Sequence, residues 1–152
     1  MPTITALLHT ENDALRLGRC LETLYPCEEI VIIDHGSCDG TIEVAREYGA
    51  RVVPFEADFQ AEAGSWLLCL DARESLSESL AASLYEWKSE NHENGRAFSV
   101  LVREEKENGW IQKQRPQIRL VPHDWKRWEG RFPESDAQAS LLEGEVLRFT
   151  LP

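Results

Sequence analysis

The sequence predicts an α/β fold, a mainly parallel sheet flanked by helices, with a hairpin-rich second half. Three observations carry this. Two apolar runs, Ile30 to Ile33 and Ser65 to Leu70, each end in a carboxylate, Asp34 and Asp71. Apolar residues at consecutive positions suit strands buried on both faces. Helical spacing follows the early strands, and beyond residue 95 the pattern turns to hairpins, with Asn108-Gly109 between Ala97–Glu105 and Trp110–Gln114.

Taken in order, Ile4 to Leu8 is the first strand, leading into His9-Thr10-Glu11-Asn12-Asp13. Asn12 or Thr10 can cap a helix with Ala14, Leu17, Leu21 and Leu24 on one face, and Pro26 ends it. The stretch EIVIIDHGSCDGT, Glu29 to Thr41, organises what surrounds it. Its strand delivers Asp34 to the C-terminal edge, the chain turns over Gly36 and Gly40, and Ile42, Ala45 and Tyr48 mark a helix stopped by Gly49. In open α/β sheets that edge is where ligands bind. The same residues also suit an ordinary strand–turn–helix, with Asp34 and Asp39 as turn and cap residues.

Arg51 to Pro54 reads as a short third strand, Asp58 to Gly64 as a brief connection, and Ser65 to Leu70 as a fourth, fully buried strand. Repeated β–α units with short loops argue for a parallel, doubly wound sheet. Ser75 with Glu78 forms a capping box for a helix carrying Leu80, Leu84 and Trp87. After the polar loop Ser89 to Gly95 come the hairpin, a strand over Gln117 to Val121, a basic and aromatic stretch over Trp125 to Arg131, and a last strand over Leu141 to Leu147. No repeat, linker or low-complexity tract divides residues 1–152, so a single domain is expected.

Acidic residues outnumber basic ones 27 to 16, for a formal charge of −11. Such a surface repels phosphate backbones and anionic lipid, which argues against nucleic acid or a membrane surface as partner. An anionic ligand needs local cations or a metal to offset the field. Cys20, Cys27, Cys38 and Cys69 have no CxxC spacing and read as reduced thiols of a cytoplasmic protein. No signal peptide and no transmembrane helix is expected.

VIIDHGSCDGT resembles the second-strand motif of family 2 glycosyltransferases with the Rossmann-like GT-A fold, a hydrophobic run, Asp, then a GS-x-DGT turn. ALLHTEND is similar to the first-strand motif, and WLLCLDARE to the W-hydrophobic-LDADE metal motif. GWIQKQRPQIRL resembles the Gly-Trp and Arg-Leu segment, and RWEGRFPE the W-x-G-x-VHE segment. The motifs fall in the family's order along nearly all of the chain, nearest to the bacterial branch acting on lipopolysaccharide core sugars. The resemblance implies a nucleotide-binding half, 1–95, and an acceptor-side half, 96–152. It implies transfer of a sugar, with inversion, from a nucleotide-sugar donor of the UDP-sugar class to a glycan or lipopolysaccharide-type acceptor. By position Thr10, Asn12 and Asp13 would line the nucleoside pocket, Asp34 would bond the base or ribose, Asp71 would hold Mg²⁺ or Mn²⁺, and Glu134 would be the general base.

The chain departs from that pattern where the chemistry is done. The second metal acid is Arg73, the His before the base is Pro133, and the late-strand His falls at Arg148. About twenty residues separate Arg51 from Asp71, too few for the family's helix with its Arg-Asn pair, and no Lys or Arg lies between Arg51 and Arg73. Mg²⁺ or Mn²⁺ binding is therefore expected to be weak or absent. Two functions follow: a transferase in which Arg73 supplies the missing positive charge, or a GT-A-like module that binds a nucleotide, a sugar or a protein without transferring anything. His9, His35, His92 and His123 read as loop residues, with His35 alone near the pocket. Trp125 and Trp128 suit either packing or stacking on a sugar. Arg115, Arg119, Lys126, Arg127 and Arg131 read as a local basic cluster, solvated or facing a phosphate.

Overall fold

In the computed structural model, residues 2–57, 59–92, 95–113 and 115–150 are described; Asp58, where the connection to the fourth strand was placed, and Gln114, at the end of the hairpin, lie outside them. The parallel part is built from β1 (Thr3–Thr10), β2 (Glu29–Asp34), β3 (Arg51–Pro54) and β4 (Ser65–Asp71), lying side by side in the order β3-β2-β1-β4. Helices α1 (Ala14–Leu21) and α2 (Thr41–Glu47) connect β1 to β2 and β2 to β3. Both steps move the same way across the sheet, so right-handed crossovers put both helices on one face. The step from β3 to β4 runs back past β2 and β1, and the same rule carries it across the opposite face. Among its described residues, 55–57 and 59–64, that connection contains no helix.

The sheet continues with β8 (Gln117–Pro122), β6 (Phe98–Lys106), β11 (Ser140–Arg148) and β5 (Glu74–Leu76), in the full order β3-β2-β1-β4-β8-β6-β11-β5, and β7 (Gly109–Gln112) pairs with β6 across the hairpin anticipated at Asn108-Gly109. β8 is antiparallel to both β4 and β6, while β11 is parallel to β6. A separate two-stranded hairpin, β9 (Trp128–Glu129) with β10 (Phe132–Pro133), comes from the basic and aromatic stretch.

Burial differs between the faces. On the helix side Leu17, Leu21, Leu80, Leu84 and Trp87 pack on Ile4, Leu8, Ile32, Leu68 and Leu120 in one large core. Each fully buried leucine or isoleucine there contributes about 1.5–3 kcal/mol. The opposite face presents Leu7, Val31, Leu67, Cys69 and Val121, covered by Phe59, Ala61, Trp125 and Phe132 from loops and the small hairpin. α3 (Glu78–Lys88) is held against β11 at Gly144, whose φ is 99° and where an added Cβ would lie 2.3 Å from the Leu80 nitrogen. Glycine is required there on both counts.

Several local readings change. Ser75 lies in β5, and the cap of α3 is Ser77, whose hydroxyl accepts from the Leu80 N–H at 3.1 Å. Neither Thr10 nor Asn12 caps α1. Asp13 occupies that position without a side-chain cap bond, and the first helical N–H, of Ala14, donates to Asp39 at 3.2 Å. His9 belongs to β1 rather than to a loop. Cys20, Cys27, Cys38 and Cys69 are free thiols, and burial raises the pKa of Cys27 and of Cys69 to about 12, so both stay protonated. Among the described residues no helix is long and apolar enough to cross a membrane.

Candidate functional site

The strand ends define the site. Register pairs Thr10 with Asp34, His9 with Asp71 and Asp34 with Pro54, so the last residues of all four parallel strands share one edge. Asp34 and Asp71 emerge there together, as the two runs ending in acids suggested.

Asp34 is buried and its carboxylate faces its own turn. Oδ1 accepts from the Thr10 hydroxyl at 2.8 Å and the Ser37 hydroxyl at 2.5 Å, while Oδ2 accepts from the N–H groups of Ser37 at 2.8 Å and Gly36 at 3.2 Å. Burial pushes its pKa up, but the bonds from Ser37, Thr10 and Gly36 outweigh this and hold it below the ordinary carboxylate value. A carboxylate has about four acceptor positions, and all are taken.

The neighbouring loop is stitched to the same turn. Asn12, at φ 54°, donates its N–H to the Ser37 hydroxyl at 3.0 Å, and its side-chain oxygen accepts from the Cys38 N–H at 2.7 Å. Asp13 donates its N–H to the Thr41 hydroxyl at 2.8 Å and pairs with Arg16 at 2.6 Å. Asp39 accepts from the Thr41 N–H at 3.0 Å, from the Thr41 hydroxyl and from Ala14, so one carboxylate serves the starts of both helices. Thr10, Asn12, Asp13 and Asp34 are thus brought together by bonds to one another's loops. This is the turn-and-cap arrangement that the spacing of Asp34 and Asp39 allowed.

At the end of β4 a different cluster forms. The Asp71 Oδ1 accepts from the Arg73 N–H at 2.9 Å, and the Asp71 N–H donates to Glu74 at 2.9 Å. Glu74 is fully buried and gripped by Arg119, Nη1 to Oε1 at 2.6 Å and Nη2 to Oε2 at 2.8 Å. The cation facing both acids is Arg148, with Nη1 at 3.5 Å from Glu74 and 3.8 Å from Asp71. Arg73, the anticipated partner of those acids, makes no ion pair among the described residues; its carbonyl accepts from the Phe149 N–H at 2.9 Å.

These residues do not fit a divalent cation. A hard metal asks for several oxygen ligands. Here Glu74 is engaged by Arg119, and Asp71 stands beside a guanidinium. Among the described residues no group of three or more His, Cys, Asp or Glu is placed to hold a metal ion.

The open space lies on the face without helices. A cleft of about 570 Å³ is lined by Leu7, His9, Ile33, His35, Leu67 and Phe55, and on its outer side by Trp125, Lys126, Trp128 and Arg131. It occupies the face over which the β3–β4 connection passes without a helix. The His9 Nδ1 and His35 Nε2 are 2.8 Å apart, so the pair shares a proton, and the His35 ring stacks on Phe55 with centroids 5.1 Å apart. Burial, then the charge of Arg131, then His35 lower the pKa of His9 to about 4, which keeps it neutral at pH 7. His123 lines the cleft as well, so His35 is not the only histidine there. One local signal could have found this: His9 alternates with Leu8 and Thr10, both buried, and so faces away from the helices.

Glu134 lies outside this lining. It follows β10, is exposed, and donates its N–H to the Arg127 carbonyl at 2.9 Å. The turn of the same hairpin, Gly130 and Arg131, does line the cleft, and Phe132 anchors the hairpin over the Arg119 guanidinium at 4.2 Å.

This architecture is the GT-A fold of glycosyltransferases. No protein-family model matches the chain. An uncharacterized glycosyltransferase of Rickettsia felis is 28% identical over 113 residues, 67% of this chain and 40% of the relative. The lipopolysaccharide core biosynthesis glycosyltransferase LpsC of Rhizobium meliloti is 42% identical over 45 residues, 30% of this chain and 17% of LpsC. In structure, TarS of S. aureus matches with a TM-score of 0.54 at 19% identity, covering 76% of this chain and 38% of that one. Glucosyl-3-phosphoglycerate synthase of Mycobacterium tuberculosis, crystallised with Mn²⁺, UDP and phosphoglyceric acid, matches with a TM-score of 0.50 at 18% identity, covering 70% of this chain and 45% of that one. The motif-based resemblance to GT-A glycosyltransferases therefore holds in both relatives and fold. The chain spans about 40% of the length of the curated Rickettsia relative.

Proposed function

We propose that this chain is a glycosyltransferase-type domain, of family 2 character and cytoplasmic, that takes a nucleotide sugar of the UDP-sugar class into the cleft between His9, His35 and Arg131. One observation carries the reading. The cleft combines aromatic faces with Lys126 and Arg131 at a parallel-sheet edge, in a protein of formal charge −11. Aromatic faces suit a base, and clustered cations suit phosphates. The relatives' names support sugar transfer and, through LpsC, a lipopolysaccharide-type acceptor. By motif resemblance the transfer would be inverting, with residues 1–95 holding the donor, 96–152 meeting the acceptor, and Glu134 as base.

A second reading, a module that binds nucleotide, sugar or protein without transfer, is favoured by a specific observation. The acids at the strand ends are engaged in internal bonds, and Glu134 lies outside the cleft lining. Titration of UDP and UDP-sugars, followed by assay of UDP release with and without glycan acceptors, separates the two. Binding with turnover that Glu134→Gln loses supports transfer. Binding without turnover under any acceptor supports a nucleotide-binding module, and no binding at millimolar ligand overturns the transferase and supports a module for another partner.

A further inference from the structure

We propose that Arg148, at the end of β11, takes the place of a divalent cation and receives the diphosphate of a ligand seated in the cleft. The inference rests on the reading of that cleft as a nucleotide site.

Position comes first. His9 and Asp71 are register partners on adjacent strands, hence about 5 Å apart along the sheet. Arg148 Nη1 is 3.8 Å from the Asp71 carboxylate. A base held at His9 and His35 would therefore carry its phosphates along the strand edge toward Arg148, within about 10 Å.

Availability comes second. Glu74 is held by Arg119 at 2.6 and 2.8 Å, with side chains 1% and 3% exposed. Arg148 stands outside that closed pair, 29% exposed; its hydrogen bond to Glu74 is long at 3.5 Å, and its 3.8 Å contact with Asp71 is ionic only. A guanidinium has five N–H donors in a fixed fork matched to phosphate oxygens, and these contacts leave most of the five unmatched. A buried salt bridge behind it fixes where it stands.

Charge comes third. At this edge Asp71 and Glu74 are balanced by Arg119 and Arg148, and Arg73 adds a further cation with no ion pair among the described residues. The acids at the end of β4 are therefore offset by guanidinium groups with no metal bound, on a protein that is otherwise strongly acidic. A divalent ion would have to enter between Asp71 and the Arg148 guanidinium. A phosphate meets the same charges with the favourable sign.

The test is calorimetric titration of uridine and UDP into the full chain, in EDTA and then in Mn²⁺, with urea unfolding of each variant to confirm folding. Wild type should bind UDP in EDTA more tightly than uridine, with no gain from Mn²⁺. Arg148→Ala should weaken UDP about tenfold or more and leave uridine unchanged. Arg148→Lys, which keeps the charge facing Glu74 and Asp71 but loses the fork, should give an intermediate loss and serves where Arg148→Ala does not fold. UDP binding that requires Mn²⁺, or UDP affinity unchanged in the folded variants, overturns the role of Arg148 while uridine binding leaves the cleft assignment standing. Failure of both uridine and UDP to bind wild type overturns the cleft assignment, and this inference with it.

Discussion

Arg119 and Glu74 form a bidentate ion pair, 2.6 and 2.8 Å, with side chains 3% and 1% exposed. Burial alone would raise the Glu74 pKa, but the hydrogen bonds and charge of Arg119, the Asp71 N–H and Arg148 carry it below the ordinary value. A carboxyl whose pKa is depressed on folding stabilises above its unfolded pKa and loses that contribution as pH falls through the folded value. Arg119→Met leaves Glu74 buried with only the Asp71 N–H and the longer Arg148 contact to offset its charge, so it should cost about 3 kcal/mol in urea unfolding, the low end for a broken buried pair. The double variant Arg119→Met with Glu74→Leu should recover most of this. A single-variant cost below about 1 kcal/mol would show that the pair is not closed as described.

Asp34 is the corresponding fixed point on the other side of β1. Asp34→Ala removes four accepted hydrogen bonds and leaves the Gly36 and Ser37 N–H groups without partners. A loss of about 2–3 kcal/mol is expected, since bonds to a charged acceptor exceed neutral ones. The loss should be accompanied by faster amide hydrogen exchange across residues 35–41. Weakened uridine binding with unchanged exchange would instead mean that Asp34 contacts the ligand directly.

The parallel core was legible because its signals are local. Ile30–Ile33 and Ser65–Leu70 are apolar without alternation, and each ends in an acid, so strand, burial and edge could be read from composition and spacing. The hairpin at Asn108-Gly109 was legible for the same reason. The site was legible only in part, because partners distant in sequence decide it. Glu74 and Arg119 are 45 residues apart, and Glu74 and Arg148 are 74 apart. No local pattern distinguishes Arg148, which faces the two acids, from Arg73, which does not. The cap of α1 escaped for a similar reason, since it is supplied by Asp39 from the next loop. The missing β3–β4 helix could be inferred by counting residues, but that its absence uncovers the face holding His9 required the topology.

His9 gives a pH-dependent test of the cleft. Its pKa is lowered to about 4 by burial, Arg131 and His35, against an ordinary 6.5. Here the folded state binds fewer protons than the unfolded one, so stability should fall as pH drops from about 6.5 toward 4. This window lies above the one in which Glu74 is protonated, so the two effects separate. His9→Gln should flatten the decline in melting temperature between pH 6.5 and 4.5 and leave the steeper acid transition in place. An NMR titration placing the His9 ring near pH 6.5 would contradict both the burial and the proximity of Arg131.

Arg73 and Arg148 can be separated by trying to rebuild a metal site. Arg73→Asp restores an Asp-x-Asp pair with Asp71, which by sequence alone would be enough to bring back a divalent cation. The structure argues otherwise, because the Arg148 guanidinium stays 3.8 Å from the Asp71 carboxylate and opposes a second cation there. Wild type, Arg73→Asp and Arg148→Ala should therefore each show no micromolar Mn²⁺ site by calorimetry. The double variant Arg73→Asp with Arg148→Ala has two carboxylates and no guanidinium facing them, so it should acquire Mn²⁺ binding in the range of roughly 10⁻⁵–10⁻⁴ M, toward the weak end for carboxylate sites. Melting temperature should hardly change in Arg73→Asp, since Arg73 has no ion pair among the described residues to lose and its bond from the Phe149 N–H is made by the backbone carbonyl. A micromolar site in Arg73→Asp alone would mean that Arg148 does not guard Asp71. A micromolar site in wild type that Asp71→Ala abolishes would mean that the β4 edge holds a metal after all.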